Sequence, residues 1–124
     1  MNNVIKKLNR EVNRYENLFE GNFKEVKANM NFYIESLQEA IEHIDIALGK
    51  CSTEISDLAD IIRKLYLNYE ANTIWEKIKL IRFKIIANRK YMNLLVLQYE
   101  AKRAKERLET LLKRLKLLKA FKVE

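Results

Sequence analysis

Apolar residues recur every three or four positions along this chain, almost without a fault, from Ile5 to Leu118. Ile5, Leu8, Val12, Tyr15 and Phe19 open the series, and Phe23, Val26, Met30, Tyr33, Leu37, Ile41, Ile44 and Leu48 continue it. Cys51, Ile55, Leu58, Ile62, Leu65 and Tyr69 follow at the same spacing. This is the period of an α-helix that buries one face. With no proline and only two glycines among 124 residues, little in the chain breaks a helix. The fold class is therefore all-α.

Three places carry stop or start signals. Gly21 suits a helix C-terminus, and Asn22 followed by Glu25 has the spacing of a capping box. Gly49 directly follows Leu48, and Ser52 or Thr53 is placed to cap a new helix with Glu54 in its first turn. Thr73 followed by Glu76 repeats the capping-box spacing after Asn72. These breaks predict four helices near residues 3–20, 23–48, 53–71 and 74–121, the last about 70 Å long at 1.5 Å per residue.

That last helix changes phase partway along. Ile74, Ile78, Ile81, Ile85, Met92, Leu95 and Tyr99 form one stripe, interrupted by Asn88. Ala101, Ala104, Leu108, Leu111, Leu115 and Leu118 continue a second, begun at Leu94 and Leu97. Two halves that face differently need different neighbours. The simplest packing is an antiparallel helical bundle over residues 1–97, with 98–124 as a basic amphipathic extension. If that extension projects, its leucines are exposed and call for a partner. In the alternative, a three-helix antiparallel coiled coil, a long first arm over residues 2–48 pairs with 74–121 and covers it.

Charge is as unevenly spread as hydrophobicity. Net charge is +7, but residues 1–73 hold 9 bases and 12 acids, net −3, while residues 74–124 hold 15 and 5, net +10. A segment this basic attracts polyanions or acidic protein surfaces. Lys79, Arg82 and Arg89 share one face of the long helix, as do Arg103, Arg107 and Arg114. Cations along a rod suit a phosphate backbone read without base specificity. Without a partner, the same residues serve as a solvated helix face.

No catalytic, cofactor or metal pattern stands out. His43 is the one histidine and lacks Glu-x-x-His spacing, so no metal site is expected. Cys51, the one cysteine, falls on the expected turn after Gly49 and reads as a packed loop thiol rather than a nucleophile. Glu39, Glu42, Asp45, Asp57 and Asp60 fall on outer faces and read as solvating carboxylates. Trp75 with Tyr66 and Tyr69, and Phe19 with Phe23, read as plugs at bundle ends, with Phe32 the aromatic expected to point off the core. The longest apolar run, residues 94–97, is far short of the roughly 20 residues of a membrane span. The start of the sequence shows no secretory signal, and a single cysteine fits a cytoplasmic, intracellular or virion-associated location.

The expected function is a non-enzymatic assembly or adaptor protein, self-associating or docking a protein partner through Ala101, Ala104, Leu108, Leu111, Leu115 and Leu118. The alternative is a sequence-independent DNA- or RNA-binding protein, as in a viral or mobile-element particle, using Lys79, Arg82, Arg89, Arg103, Arg107 and Arg114. A membrane-surface role through residues 98–121 is disfavoured, because that segment has no Trp and a single Phe. No cofactor and no small-molecule substrate are expected.

Overall fold

The computed structural model describes residues 2–67 and 73–121. They form four helices: α1 Asn2–Gly21, α2 Phe23–Ala28, α3 Met30–Leu67 and α4 Ile74–Phe121. Among the described residues there is no strand, and the chain is an all-α helical bundle protein. No helix among them is long and apolar enough to cross a membrane.

The break at Gly21 is real, and its chemistry differs in detail from a capping box. Asn22 makes no side-chain bond to the backbone; its Nδ2 donates to Glu25 Oε2 at 2.8 Å. Glu25 then ties the junction together. Its Oε1 accepts from Tyr33 Oη at 3.2 Å, and its backbone carbonyl accepts from the amide of Asn29 at 3.1 Å. Burial, and secondly the Glu25 carboxylate, raise the Tyr33 phenol above its ordinary value. Asn29 is a further interruption that apolar spacing did not reveal, because Val26, Met30 and Tyr33 stay in phase across it.

The expected break at Gly49 is absent. α3 runs through it without interruption, so the predicted helices 23–48 and 53–71 are replaced by α2 and one helix of 38 residues. Glycine weakens a helix but does not end it when packing holds both sides. Thr53, expected to cap a new helix, donates its Oγ1 to the Gly49 carbonyl at 3.1 Å within the same helix. The end of the predicted helix at 68–71, with Tyr69, and Asn72 lie outside the described residues. At Thr73 the expected cap forms: the Glu76 amide donates to Thr73 Oγ1 at 3.1 Å.

The contacts draw two compact units, and they are not the expected 1–97 and 98–124. Unit 1 takes the chain up to Leu48 and from Tyr99 onward; unit 2 is Gly49–Gln98. Unit 1 is a bundle of α1, the first part of α3 and the last part of α4, with α2 at one end. Its core holds Val12, Phe19, Val26, Leu37 and Ile44 together with Ala101, Ala104, Leu108, Leu111 and Leu115. Arg107 fixes α4 to α1: its Nη2 donates to Asn13 Oδ1 at 2.7 Å, and its guanidinium pairs with both carboxylate oxygens of Glu16. Lys105 Nζ reaches Asp45 Oδ1 at 2.5 Å, fixing α4 to α3. Hydrogen bonding to these carboxylates raises both cations, so they stay charged.

Unit 2 is an antiparallel pair of helix segments with a thin core. Cys51, Ala87 and Leu94 are its buried apolar residues. The Cys51 thiol donates to the Leu94 carbonyl at 3.3 Å, Gln98 Nε2 to Ser52 Oγ at 3.0 Å, and Asn88 Nδ2 to Tyr66 Oη at 3.2 Å.

Two outcomes follow. Leu115 is 0% exposed and Leu117 53% exposed. Leu115→Ala is expected to cost about 2–5 kcal/mol in chemical denaturation, while Leu117→Ala stays within about 0.5 kcal/mol. At Gly49 an added Cβ meets nothing within 4 Å. Gly49→Ala is therefore expected to stabilise the chain by about 0.5–1 kcal/mol, read as a higher thermal midpoint.

Candidate docking face

The two stripes of α4 meet opposite fates. The second, expected to be the docking surface, is not available: Ala101, Ala104, Leu108, Leu111 and Leu115 are buried in unit 1, and Leu118 packs half-buried against them. The physical reason is that α1 and the first part of α3 fold over this face and satisfy it. The same burial removes it as a lipid-binding face.

The first stripe is the uncovered one. Ile74, Ile78, Ile81, Ile85, Met92 and Tyr99 are exposed, with Ile81 at 56%, Ile85 at 52% and Met92 at 58%, while Leu95 is half-buried. Its spacing is that of a coiled-coil seam. Positions 74, 78, 81, 85, 88, 92 and 95 alternate steps of four and three, so they remain aligned on one side of a supercoiled helix. α3 packs on a different side of α4, the one carrying Ala87 and Leu94. Ile74, Ile78, Ile81, Ile85 and Met92 of the seam therefore stay open even though α4 already has a neighbour, while Asn88 and Leu95 are half-buried and Asn88 bonds to Tyr66 of α3. Trp75 and Ile86 are exposed beside the seam and widen the apolar surface, and Phe83 is exposed on the far side of the helix.

Trp75 is 76% exposed, which corrects the expectation that it plugs a bundle end. Tyr66, expected in the same cluster, is also exposed, and the Lys84 ammonium sits 4.3 Å from the centre of its ring. Phe19 is buried and Phe23 half-buried, as plugs should be. Phe32 points off the core, edge-on to buried Tyr33 with ring centroids 5.2 Å apart. It borders an open groove with Leu18, Tyr15 and Arg14 in unit 1.

The expected polyanion-binding residues divide in the same way. Lys79, Arg82 and Arg89 of unit 2 are exposed, as are Arg103 and Arg114 of unit 1, and among the described residues none of the five has an ion-pair partner. Arg107 is the exception. It shares their helix face in sequence, but Glu16 and Asn13 occupy its guanidinium, so it is a structural clamp rather than a free cation. Glu39, Glu42, Asp45, Asp57, Asp60 and His43 are all on the surface. Among the described residues no group of three or more His, Cys, Asp or Glu is placed to hold a metal ion.

Cys51 lies inside α3, not on a turn, and is 5% exposed. Burial, and secondly the Glu54 carboxylate, push its thiol up from the ordinary value. A thiol so placed is a poor nucleophile. A raised folded value means that the neutral thiol contributes its full stabilisation below about pH 8.5, the unperturbed thiol value. As pH rises further the unfolded chain loses its proton first, and that contribution is lost. The gap in thermal midpoint between the native chain and Cys51→Ala is therefore expected to narrow from pH 8 to pH 10.

No protein-family model, no curated protein and no solved structure matches this chain, so the reading of the face rests on its own geometry.

Proposed function

We propose that this chain is a non-enzymatic docking protein, in which unit 1 is a self-contained scaffold and unit 2 offers the first stripe of α4 to a helix of another protein. The supporting observation is the exposed apolar seam from Ile74 to Met92 on a helix whose other apolar face is already satisfied. A helical hairpin with so little buried apolar surface gains most by adding a helix to that seam. Contiguous exposed apolar patches on this scale mark interaction sites.

Nucleic-acid binding is the second reading. It is favoured by the exposed cations Lys79, Arg82, Arg89, Arg103 and Arg114, which have no ion-pair partner among the described residues and suit phosphates without base readout.

The two readings separate by crosslinking in the cells that make the protein. A photoactivated benzophenone side chain is placed at position 81 in the seam or, as a control, at position 103 on unit 1. Docking is expected to give discrete protein adducts at position 81 and none at 103. Nucleic-acid adducts at both positions, with no protein adduct at 81, would replace the first reading with the second.

A further inference from the structure

The seam is walled by charge of one sign. In the heptad register set by Ile78, Ile85 and Met92, one flank carries Lys77 and Lys84, the latter half-buried with its ammonium over the Tyr66 ring, and the other carries exposed Arg82 and Arg89. No acid stands on either flank. Glu76, the one acidic residue between 74 and 99, lies on the far side of the helix, half-buried. Residues at these flanking positions meet the flanks of whatever helix fills the seam, and they set partner choice and orientation.

A second copy of the same seam fits badly. In a parallel pair Lys77 faces Arg82 of the other copy, and Lys84 faces Arg89. In an antiparallel pair each flank meets its own kind, Lys against Lys and Arg against Arg. Both arrangements place cation against cation, which suppresses the wrong partner.

We infer that the α4 seam receives a partner helix of about three heptads, apolar along one stripe and acidic on both flanks of it, and that it rejects a second copy of this chain. The inference rests on the docking reading and adds the partner's chemistry. The length follows from the seam: positions 74 to 95 span roughly 32 Å at 1.5 Å per residue. Asn88 adds a register mark. It stands in the middle of the seam with its Nδ2 already given to Tyr66 Oη, which leaves its carbonyl oxygen to accept from a polar residue on the incoming helix.

The test uses the full chain and synthetic helical peptides of about 22 residues. They have Leu or Ile at the seam positions and either Glu or Lys at both flanks. Anisotropy titration is expected to show the Glu-flanked peptide binding at least about tenfold tighter than the Lys-flanked one at low salt. That gap should shrink as salt rises. The double variant Arg82→Glu with Arg89→Glu leaves one basic and one acidic flank and should abolish the difference between the two peptides. Arg103→Glu with Arg114→Glu, exposed on unit 1, should leave it unchanged. Circular dichroism of each variant checks that helicity is kept, and Ile81→Ser with Ile85→Ser should abolish binding of both peptides.

Equal binding of the two peptides would overturn the acidic-partner inference while leaving the docking reading intact. Binding of neither peptide, with no protein adduct at position 81, would overturn both. A dimer by sedimentation that Ile81→Ser with Ile85→Ser dissolves would show the seam taken by a second copy and overturn the inference. So would duplex DNA that displaces the Glu-flanked peptide and binds the Ile81→Ser, Ile85→Ser variant equally well.

Discussion

α4 carries two apolar stripes that lie roughly 140° apart at 100° per residue, and no break separates them. The stripe at 101–118 belongs to unit 1 and the stripe at 74–95 to unit 2, so each needs its own neighbours. In unit 1 the second stripe is covered by α1 and α3, with Leu108 and Leu115 among the most deeply buried side chains of the chain. In unit 2 the helix has α3 for company chiefly on the side of Ala87 and Leu94, with Asn88 the seam residue that bonds to Tyr66 of α3. Taken whole, α4 is barely amphipathic, because the two faces cancel.

The polar contacts follow the same division. In unit 1, Arg107 and Lys105 clamp α4 to Glu16 and Asn13 on one side and Asp45 on the other. These bonds set the rotation of α4 about its axis and hold Leu108, Leu111 and Leu115 inward. In unit 2 the corresponding links are lighter: a thiol to a carbonyl, an amide to a hydroxyl, an asparagine to a tyrosine. Few buried apolar contacts and exposed side-chain hydrogen bonds are the marks of a segment with low local stability. Adding a helix to unit 2 would supply the burial it lacks, so binding and ordering of that unit are thermodynamically linked.

Basic residues serve two purposes along α4, and burial decides which. Arg107 shares a helix face with Arg103 and Arg114 in sequence, yet a neighbouring carboxylate makes it part of the scaffold. Arg82 and Arg89 have no such neighbour among the described residues, and they stand exposed beside the apolar seam. A charge beside a desolvating surface acts more strongly than one on an open face, because water is excluded when the surface is covered. That gives the flank residues more influence over a partner than the same number of lysines around 113–119 would have.

The amino-acid sequence by itself determined the helical class, the end of α1 at Gly21, the Thr73 cap, the outward aim of Phe32 and the change of phase in α4. Each follows from local spacing, backbone freedom or a side chain within three or four residues. It did not determine that α3 runs through Gly49, since glycine lowers helix stability without forbidding a helix and packing on both sides decides. Nor did it reveal the stop at Asn29, where the apolar series stays in phase. Above all, only the tertiary structure decided which of the two α4 stripes is covered. Both stripes are apolar and regularly spaced, and the choice between them depends on where α1 and α3 lie in space, which no local pattern encodes.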